Sequence, residues 1–265
     1  MCFIIVIWGR KTMRNQQLQT DYTEDMVGYW KERSHTYSQD NRSQLENEKK
    51  TVWENLILSN TNQEKQLNIL DVGTGPGFFA VLLAQKGHHV TAVDVSADML
   101  ERAKENLNYY QVHADLRLLD GNDLPFSDDT FDLVISRDVT WTLQQPEETL
   151  LEWKRVVKPG GQILYFDANW YYHLFDEEWM KLHLENEEIK SQNGLPIHDK
   201  GKVMEEIARE LPMSKRLRPT WDLEELPQLG FRNVKALKNL NSVIYTEEEQ
   251  LKYRSKPEFL VIAEK

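Results

Sequence analysis

An apolar strand that runs straight into a glycine-rich turn leaves a chain few ways to fold. Residues 69–80 read Ile-Leu-Asp-Val-Gly-Thr-Gly-Pro-Gly-Phe-Phe-Ala, with glycine at positions 73, 75 and 77 and an apolar run after them. Glycine accepts positive φ and removes the side chains that would hold a ligand off the backbone. A helix beginning there turns its unpaired N–H groups back towards the loop. The stretch predicts a first parallel strand, a tight loop and a helix, with a cofactor resting on bare backbone at the strand's end.

The rest of the chain extends that unit. Apolar strands are predicted at Ile69–Val72, His88–Val93, Leu116–Leu119, Phe131–Ser136 and Ile163–Phe166, alternating with helices at Phe78–Lys86, after Ser96, and at Glu147–Val157. Lys158-Pro159-Gly160-Gly161 reads as the turn that stops the last of these helices. Continuous apolar strands alternating with helices predict a parallel sheet covered on both faces. Before the sheet, Asp21 to about Ser59 is helical, with Met26, Tyr29 and Trp30 on one helix and Trp53, Leu56 and Ile57 on a second, longer one; Ser59–Gln66 reads as a surface linker. After Asp167 the rhythm breaks into an aromatic, charged, strandless stretch that reads as a lid at the sheet's ligand-binding edge. A helix at Leu223–Leu229 and strands near Val234–Leu237 and Phe259–Ala263 close the chain. The expected divisions are 1–66 (N-terminal helical appendage), 67–167 (cofactor-binding core), 168–221 (lid, acceptor side) and 222–265 (completion of the sheet).

Composition narrows the function. Against 32 Lys+Arg stand 43 Asp+Glu, a net charge of −11, which disfavours a phosphate-backbone partner. Cys2 is the one cysteine, so neither a disulfide framework nor a thiolate metal site is expected, and the chain reads as cytoplasmic. Cys2–Trp8 is apolar but far short of the ~20 residues that span a bilayer. It is an edge strand, or else Met13 is the true start; no membrane association is expected.

The loop alone leaves a dinucleotide and another adenosine cofactor open. A dinucleotide fingerprint has its third glycine where this chain has Phe78. Asp94, at the end of the second strand, suits a ribose hydroxyl pair in either case, because a carboxylate can accept two hydrogen bonds there.

Later segments separate the two. The chain resembles the class I S-adenosylmethionine-dependent methyltransferases, in the branch of the menaquinone and ubiquinone C-methyltransferases. The resemblance rests on Leu70-Asp71-Val72-Gly73-Thr74-Gly75-Pro76-Gly77, Val93-Asp94-Val95-Ser96-Ala97-Asp98-Met99-Leu100, Asp120-Gly121-Asn122-Asp123-Leu124-Pro125-Phe126, Phe131-Asp132-Leu133-Val134, and Arg155-Val156-Val157-Lys158-Pro159-Gly160-Gly161. It implies an α/β, Rossmann-like sheet of seven strands, mostly parallel with the last antiparallel, preceded by N-terminal helices and interrupted by a helical lid.

Carried onto these positions, the resemblance implies a site for S-adenosyl-L-methionine and its product S-adenosyl-L-homocysteine. Gly73, Thr74, Gly75 and Gly77 would let the backbone lie along the cofactor, and Asp71 would attract its ammonium group through water. Asp94 would hold the ribose, with Val95 and Met99 against the adenine. Asp120, Gly121 and Asn122 would read the adenine edge. Ser136 and Arg137 would flank the methionine part, and Tyr37 resembles the N-terminal tyrosine that closes over the methyl donor.

In-line methyl transfer requires alignment before it requires a base, so no catalytic triad is demanded. If a base is needed, Asp138 and His173 lead; Asp138 could equally be ion-paired and His173 simply packed. Asp138, Trp141, Trp170, Tyr171 and His198 are the expected acceptor-pocket residues, with lid packing the alternative for the two tryptophans. Trp153 reads as core. The expected partner is a small-molecule acceptor, with no nucleic acid and no metal, and the chain is expected to be a monomer or homodimer. A protein or RNA methyltransferase, and a cofactor-binding protein without turnover, remain the rival readings.

Overall fold

The computed structural model describes residues 22–61, 66–195 and 201–265. Cys2–Trp8, Met13, the middle of the expected linker (62–65) and His198 lie outside the described residues. Strands β1 (Asn68–Val72), β2 (His89–Asp94), β3 (Asp115–Leu118), β4 (Phe131–Arg137), β5 (Val157–Ala168), β6 (Arg232–Leu237) and β7 (Glu258–Glu264) form one sheet in the order β3-β2-β1-β4-β5-β7-β6. β1 to β5 pair in parallel, and β7 runs antiparallel to both β5 and β6. The order reverses between β1 and β4, so their carboxyl ends diverge and open a crevice, the usual ligand position in an open α/β sheet.

Helices cover both faces. Two of them, α1 (Thr23–Leu45) and α2 (Lys49–Leu58), precede the sheet; α3 (Phe78–Gln85) and α4 (Ala97–Tyr109) follow β1 and β2. The first is the longer of the N-terminal pair, the reverse of the sequence expectation. Trp53 of α2 makes edge contacts with Phe78, Phe79 and Phe166 at centroid distances of 5.9, 5.8 and 5.0 Å, so α2 is part of the main core on this face. The opposite face carries α5 (Pro146–Val156), where Trp153 is fully buried among Leu124, Leu150 and Tyr165. The lid helices are α6 (Glu177–Gln192) and α7 (Gly201–Glu210); α8 (Thr220–Gln228) then returns to the second face, and the short α9 (Asn241–Ile244) and α10 (Glu247–Lys252), not expected from the sequence although Thr246 and Glu249 form a capping box at the start of α10, link β6 to β7.

The Lys158–Gly161 turn is also different from expectation. It lies within β5 as a bulge: Phe131 pairs with Val157, and pairing resumes only at Leu133 with Gln162. A Cβ on Gly161 would stand 2.8 Å from the Asp132 carbonyl oxygen, so only glycine lets the bulge press against β4. Among the described residues no helix is long and apolar enough to cross a membrane.

Candidate active site

The loop after β1 is held from below. Val93 O accepts from Gly73 N and Thr74 N at 2.9 and 3.0 Å, which ties the loop to the end of β2. Asp94 then accepts from Gly75 N through Oδ2 and from Ser96 N through Oδ1, both at 2.8 Å. Ser96 in turn caps α4, its Oγ accepting from Met99 N at 3.3 Å. One carboxylate thus orders the glycine loop and the start of α4 together. Burial pushes the Asp94 carboxyl above its ordinary range, against the pull of these backbone N–H groups.

The three loop glycines have three different tasks. Gly73 (φ +67°) sits where a Cβ would fall 2.2 Å from Val139 Cγ2, so it admits the loop that follows β4. At Gly75 (φ +54°) the nearest neighbour to such a Cβ is the Tyr37 ring, at 3.6 Å. Gly77 instead packs on Ala103 of α4, with Cβ and Cα 3.1 and 3.2 Å from the position a Cβ would take; it joins two helices and does not border the crevice.

A cavity of about 150 Å³ opens beside this loop. Tyr37, Gly73, Gly75, Asp94, Val95, Met99, Asp120, Gly121, Asn122, Arg137 and Asp138 from the expected set all line it. Gly121 is held by Trp153, whose Nε1 donates to its carbonyl at 3.1 Å, so a residue expected only to fill the core also fixes the cavity wall. Next to it is a second hollow of about 20 Å³ bordered by Asp71, Thr74, Tyr37, Asn41 and Arg137. That is room for one water. Asp71 is buried there, accepts from Thr74 Oγ1 at 2.6 Å, and is pushed up to about 7 by burial.

Above the crevice lies α1. Asn106 of α4 donates to Pro76 O at 2.7 Å and to Ser38 Oγ at 3.1 Å, while Arg42 donates to its Oδ1. These bonds dock α1 across the glycine loop and bring Met26, Trp30 and Tyr37 into the cavity wall. Arg137 is clamped beneath, donating to Asn41 Oδ1 at 3.0 Å with its guanidinium 4.3 Å from the Phe78 ring centre.

Asp138 takes left-handed backbone (φ +58°), held by its N–H to Phe166 O and by Trp141 Nε1 to its own carbonyl, both 3.0 Å. Its carboxylate lies 3.7 Å from Arg137 Nε; burial nonetheless raises it to about 7.

Several expected residues lie elsewhere. Ser136 is fully buried and donates to Val72 O at 2.8 Å, a strand-to-strand tie below the cavity. Trp141 packs with Met204, Ile207 and Leu211 of the lid region, joined by Trp170 and Tyr171, and none of the three aromatics lines the cavity. His173 stacks on His183 at 3.9 Å, also outside the cavity. Burial and the neighbouring His183 depress it to about 3, so it stays neutral through the physiological range.

Other wall residues went unforeseen. Trp30 and Met26 were visible only as an apolar helical cluster, which reads as packing; Val139, Thr142 and Leu143 belong to the segment after β4 at whose rim the acceptor end is expected, and Leu119 and Gln144 carried no signal.

A second polar assembly underlies the β4 loop. Asp167, at the end of β5, accepts from Trp141 N and Trp170 Nε1 at 2.8 Å and from Thr140 Oγ1. Arg218, where the lid rejoins the core, donates to Asp167 Oδ2 at 3.1 Å and to Asp222 at 2.7 and 2.9 Å; Tyr165 Oη also donates to Asp222. Arg218 is 1% exposed at its side chain and both aspartates 0%.

Comparison with known proteins bears on this arrangement. Residues 70–165, from β1 to the end half of β5, match a methyltransferase domain family. Malonyl-[acyl-carrier protein] O-methyltransferase of Erwinia pyrifoliae is 40% identical over 111 residues, covering 41% of this chain and 40% of that protein. Demethylmenaquinone methyltransferase of Clavibacter sepedonicus is 40% identical over 100 residues, 36% of this chain and 39% of the relative. The match therefore spans about two fifths of the length of these relatives. In fold, the chain resembles phosphoethanolamine N-methyltransferase 2 of Haemonchus contortus, solved with phosphomonomethylethanolamine and S-adenosylhomocysteine. The TM-score is 0.52 at 18% identity, over 80% of this chain and 52% of that one.

Proposed function

We propose that the chain, whose residues 70–165 match a methyltransferase domain family, transfers a methyl group from S-adenosylmethionine to a small-molecule acceptor. The observation that carries this reading is one cavity lined both by Asp94, Asp120 and Gly121 and by Trp30, Asp138 and Thr142.

The residues present fit the cofactor. Each Asp94 oxygen spends one lone pair on the backbone and keeps another for a hydroxyl, which suits a ribose diol. Val95, Met99 and Leu119 offer an apolar slot for adenine beside the exposed Asp120 carboxylate, an acceptor for its amino group. Gly75 presents bare backbone to the cavity beneath Tyr37. Asp71, with space for one water, suits an ammonium group, and Arg137 at the same hollow suits a carboxylate. When bound, S-adenosylmethionine supplies an electrophilic methyl group on a positively charged sulfur.

The chain's own contribution is alignment and proton handling. Met26, Trp30, Val139 and Leu143 give the acceptor an apolar wall that excludes water, and Thr142 and Gln144 give it polar contacts that set its orientation. Asp138 is the one expected base on that wall, and it takes the proton from an acceptor that must lose one. With its carboxyl raised to about 7 the base form accumulates as pH rises, so kcat/KM, which reports the free enzyme, should climb to a plateau above about pH 7. Asp138→Asn should lower kcat by about 10²-fold or more and flatten that limb, while S-adenosylhomocysteine affinity holds. A limb that survives the substitution assigns the proton transfer to another group.

The reading is tested by incubating the chain with methyl-labelled S-adenosylmethionine and separate fractions of metabolites, protein and RNA. Label in the metabolite fraction is the expected result. Label confined to protein or RNA would replace the acceptor class, and cofactor binding with no label transfer anywhere would leave a binding protein.

A further inference from the structure

Outside the cavity, a stack of two imidazoles joins the lid to the core. His173, in the single turn Tyr172–Leu174 that follows β5, lies 3.9 Å from His183 of α6, ring centre to ring centre, with 16° between the planes. His173 is 8% exposed. Nδ1 of His183 is buried as well, with no hydrogen-bond partner among the described residues. The rings continue into the core: Tyr171 lies 6.1 Å from His173 and 5.2 Å from Trp141, whose Nε1 donates to the Asp138 carbonyl at 3.0 Å. A row of ring contacts therefore runs from α6 to the loop that bears Asp138. Farther along α6, Asn186 donates to Leu251 O at 3.0 Å and accepts from Ser255 N at 2.7 Å. Neither of those bonds titrates, so what depends on the histidine pair is the turn and the part of α6 before Asn186.

The charges that face the pair are mainly cations. Lys256, just before β7, acts on both rings; Arg209 of α7 acts on His173, and Lys190 of α6 on His183. The facing carboxylates are already engaged: Glu187 of α6, which also faces Lys256, is held by Lys190 at 2.5 Å, and Glu205 of α7 by Arg209 at 2.8 Å. Two further elements pack here, α10 and the turn Pro212–Lys215. On them, Glu249 pairs with Lys49 at 2.5 Å, Lys252 lies over the Tyr253 ring and Lys215 over the Phe175 ring. Burial, and after it the facing charges, hold both imidazoles below their ordinary value of 6.5, His173 at about 3. Neutral rings stack at this distance without penalty, whereas two imidazolium ions would repel each other and the cations around them.

We propose that the His173–His183 stack is a pH-sensitive latch: while both rings are neutral it holds the first half of α6 against the core, and acidification releases that segment by charging them. In the released form the imidazoles meet water and take up protons near 6.5, their ordinary value. The latched form binds fewer protons, so latching is complete above that pH and weakens as pH falls below it, by up to about tenfold per pH unit for each ring. The latch is independent of the methyl-transfer reading, since it acts outside the cavity and needs neither donor nor acceptor.

The test is hydrogen exchange on the full chain at about pH 7.5 and about pH 5.5, expressed as protection factors so that the intrinsic pH dependence of exchange cancels. Amides of residues 172–185 should lose protection about tenfold or more at the lower pH, while those of β1 and β4 keep theirs. His173→Phe and His183→Phe each leave a ring in the stack and remove one titrating group, so each should shrink the loss. Combining them should reduce it to within about twofold of none. Melting at the higher pH checks that the variants fold, and either single variant suffices if the double one does not. Equal protection of residues 172–185 at both pH values in the parent overturns the proposal. So does a loss shared by β1 and β4, or one of undiminished size in the phenylalanine variants.

Discussion

Replacing Asp94 by alanine is expected to weaken S-adenosylhomocysteine binding on the order of 10²–10³-fold. The side chain has two tasks, and both end together. It offers the ribose two acceptor positions on a partly desolvated carboxylate, and a hydrogen bond to a charged group is worth roughly 1.5–3 kcal/mol. It also fixes the loop through Gly75 N and α4 through Ser96 N, each at 2.8 Å. Two such bonds towards the lower end of that range amount to about 3–4 kcal/mol, and each 1.4 kcal/mol is tenfold in affinity. Asp94→Asn should fall between, since an amide oxygen still accepts from one backbone N–H but carries no charge. Calorimetry on the three proteins decides it, with thermal melting as a check that the variants fold. An alanine variant that binds within about threefold of the parent would remove Asp94 from the cofactor site.

The second large effect is on stability. Arg218→Ala should destabilise the fold by about 3–5 kcal/mol, because it leaves Asp167 and Asp222 buried with their charge uncompensated. For a chain of this size that lowers the melting midpoint on the order of 10 °C. Asp222→Asn, which keeps Arg218 and its bond to Asp167, should cost markedly less. The damage should also reach the cavity. Asp167 accepts from Trp141 N and Thr140 Oγ1, and Trp141 Nε1 holds the Asp138 carbonyl, so the loop bearing Asp138 stands on this network. A melting midpoint within about 2 °C of the parent would show that the loop stands without Arg218.

Much of the donor end of the cavity was legible because its signals are local. The strand patterns, the glycine turn, the Ser96 cap and the position of Asp94 at a strand end depend on residues within a few places of one another. Asp120 and Gly121 came from the family resemblance instead, and both line the cavity. Local reasoning failed where two distant pieces meet. Gly77 carries the same signal as Gly75, yet its close neighbour is Ala103, twenty-six places on. Lys158–Gly161 has turn chemistry, but pairing on both sides turned it into a bulge in a longer strand. Trp141, Trp170 and Tyr171 sit at the expected edge and are consumed by packing with Met204, Ile207 and Leu211.

The amino-acid sequence by itself determined the alternation of strands and helices through β5, the loop on which a nucleoside can rest and the strand-end carboxylate that would hold it. These follow from continuous apolar runs, positive-φ glycine and the place of Asp94 at the end of a strand, all of which act over short stretches. Only the tertiary structure decided which aromatic residues line the cavity. That choice follows from how α1 docks on Asn106 and how the lid buries its own aromatic surface, and both depend on shape complementarity between segments far apart in the chain. The outcome is a cavity walled by Trp30 and Tyr37 from the N-terminal helix, with the tryptophans of the expected pocket behind it.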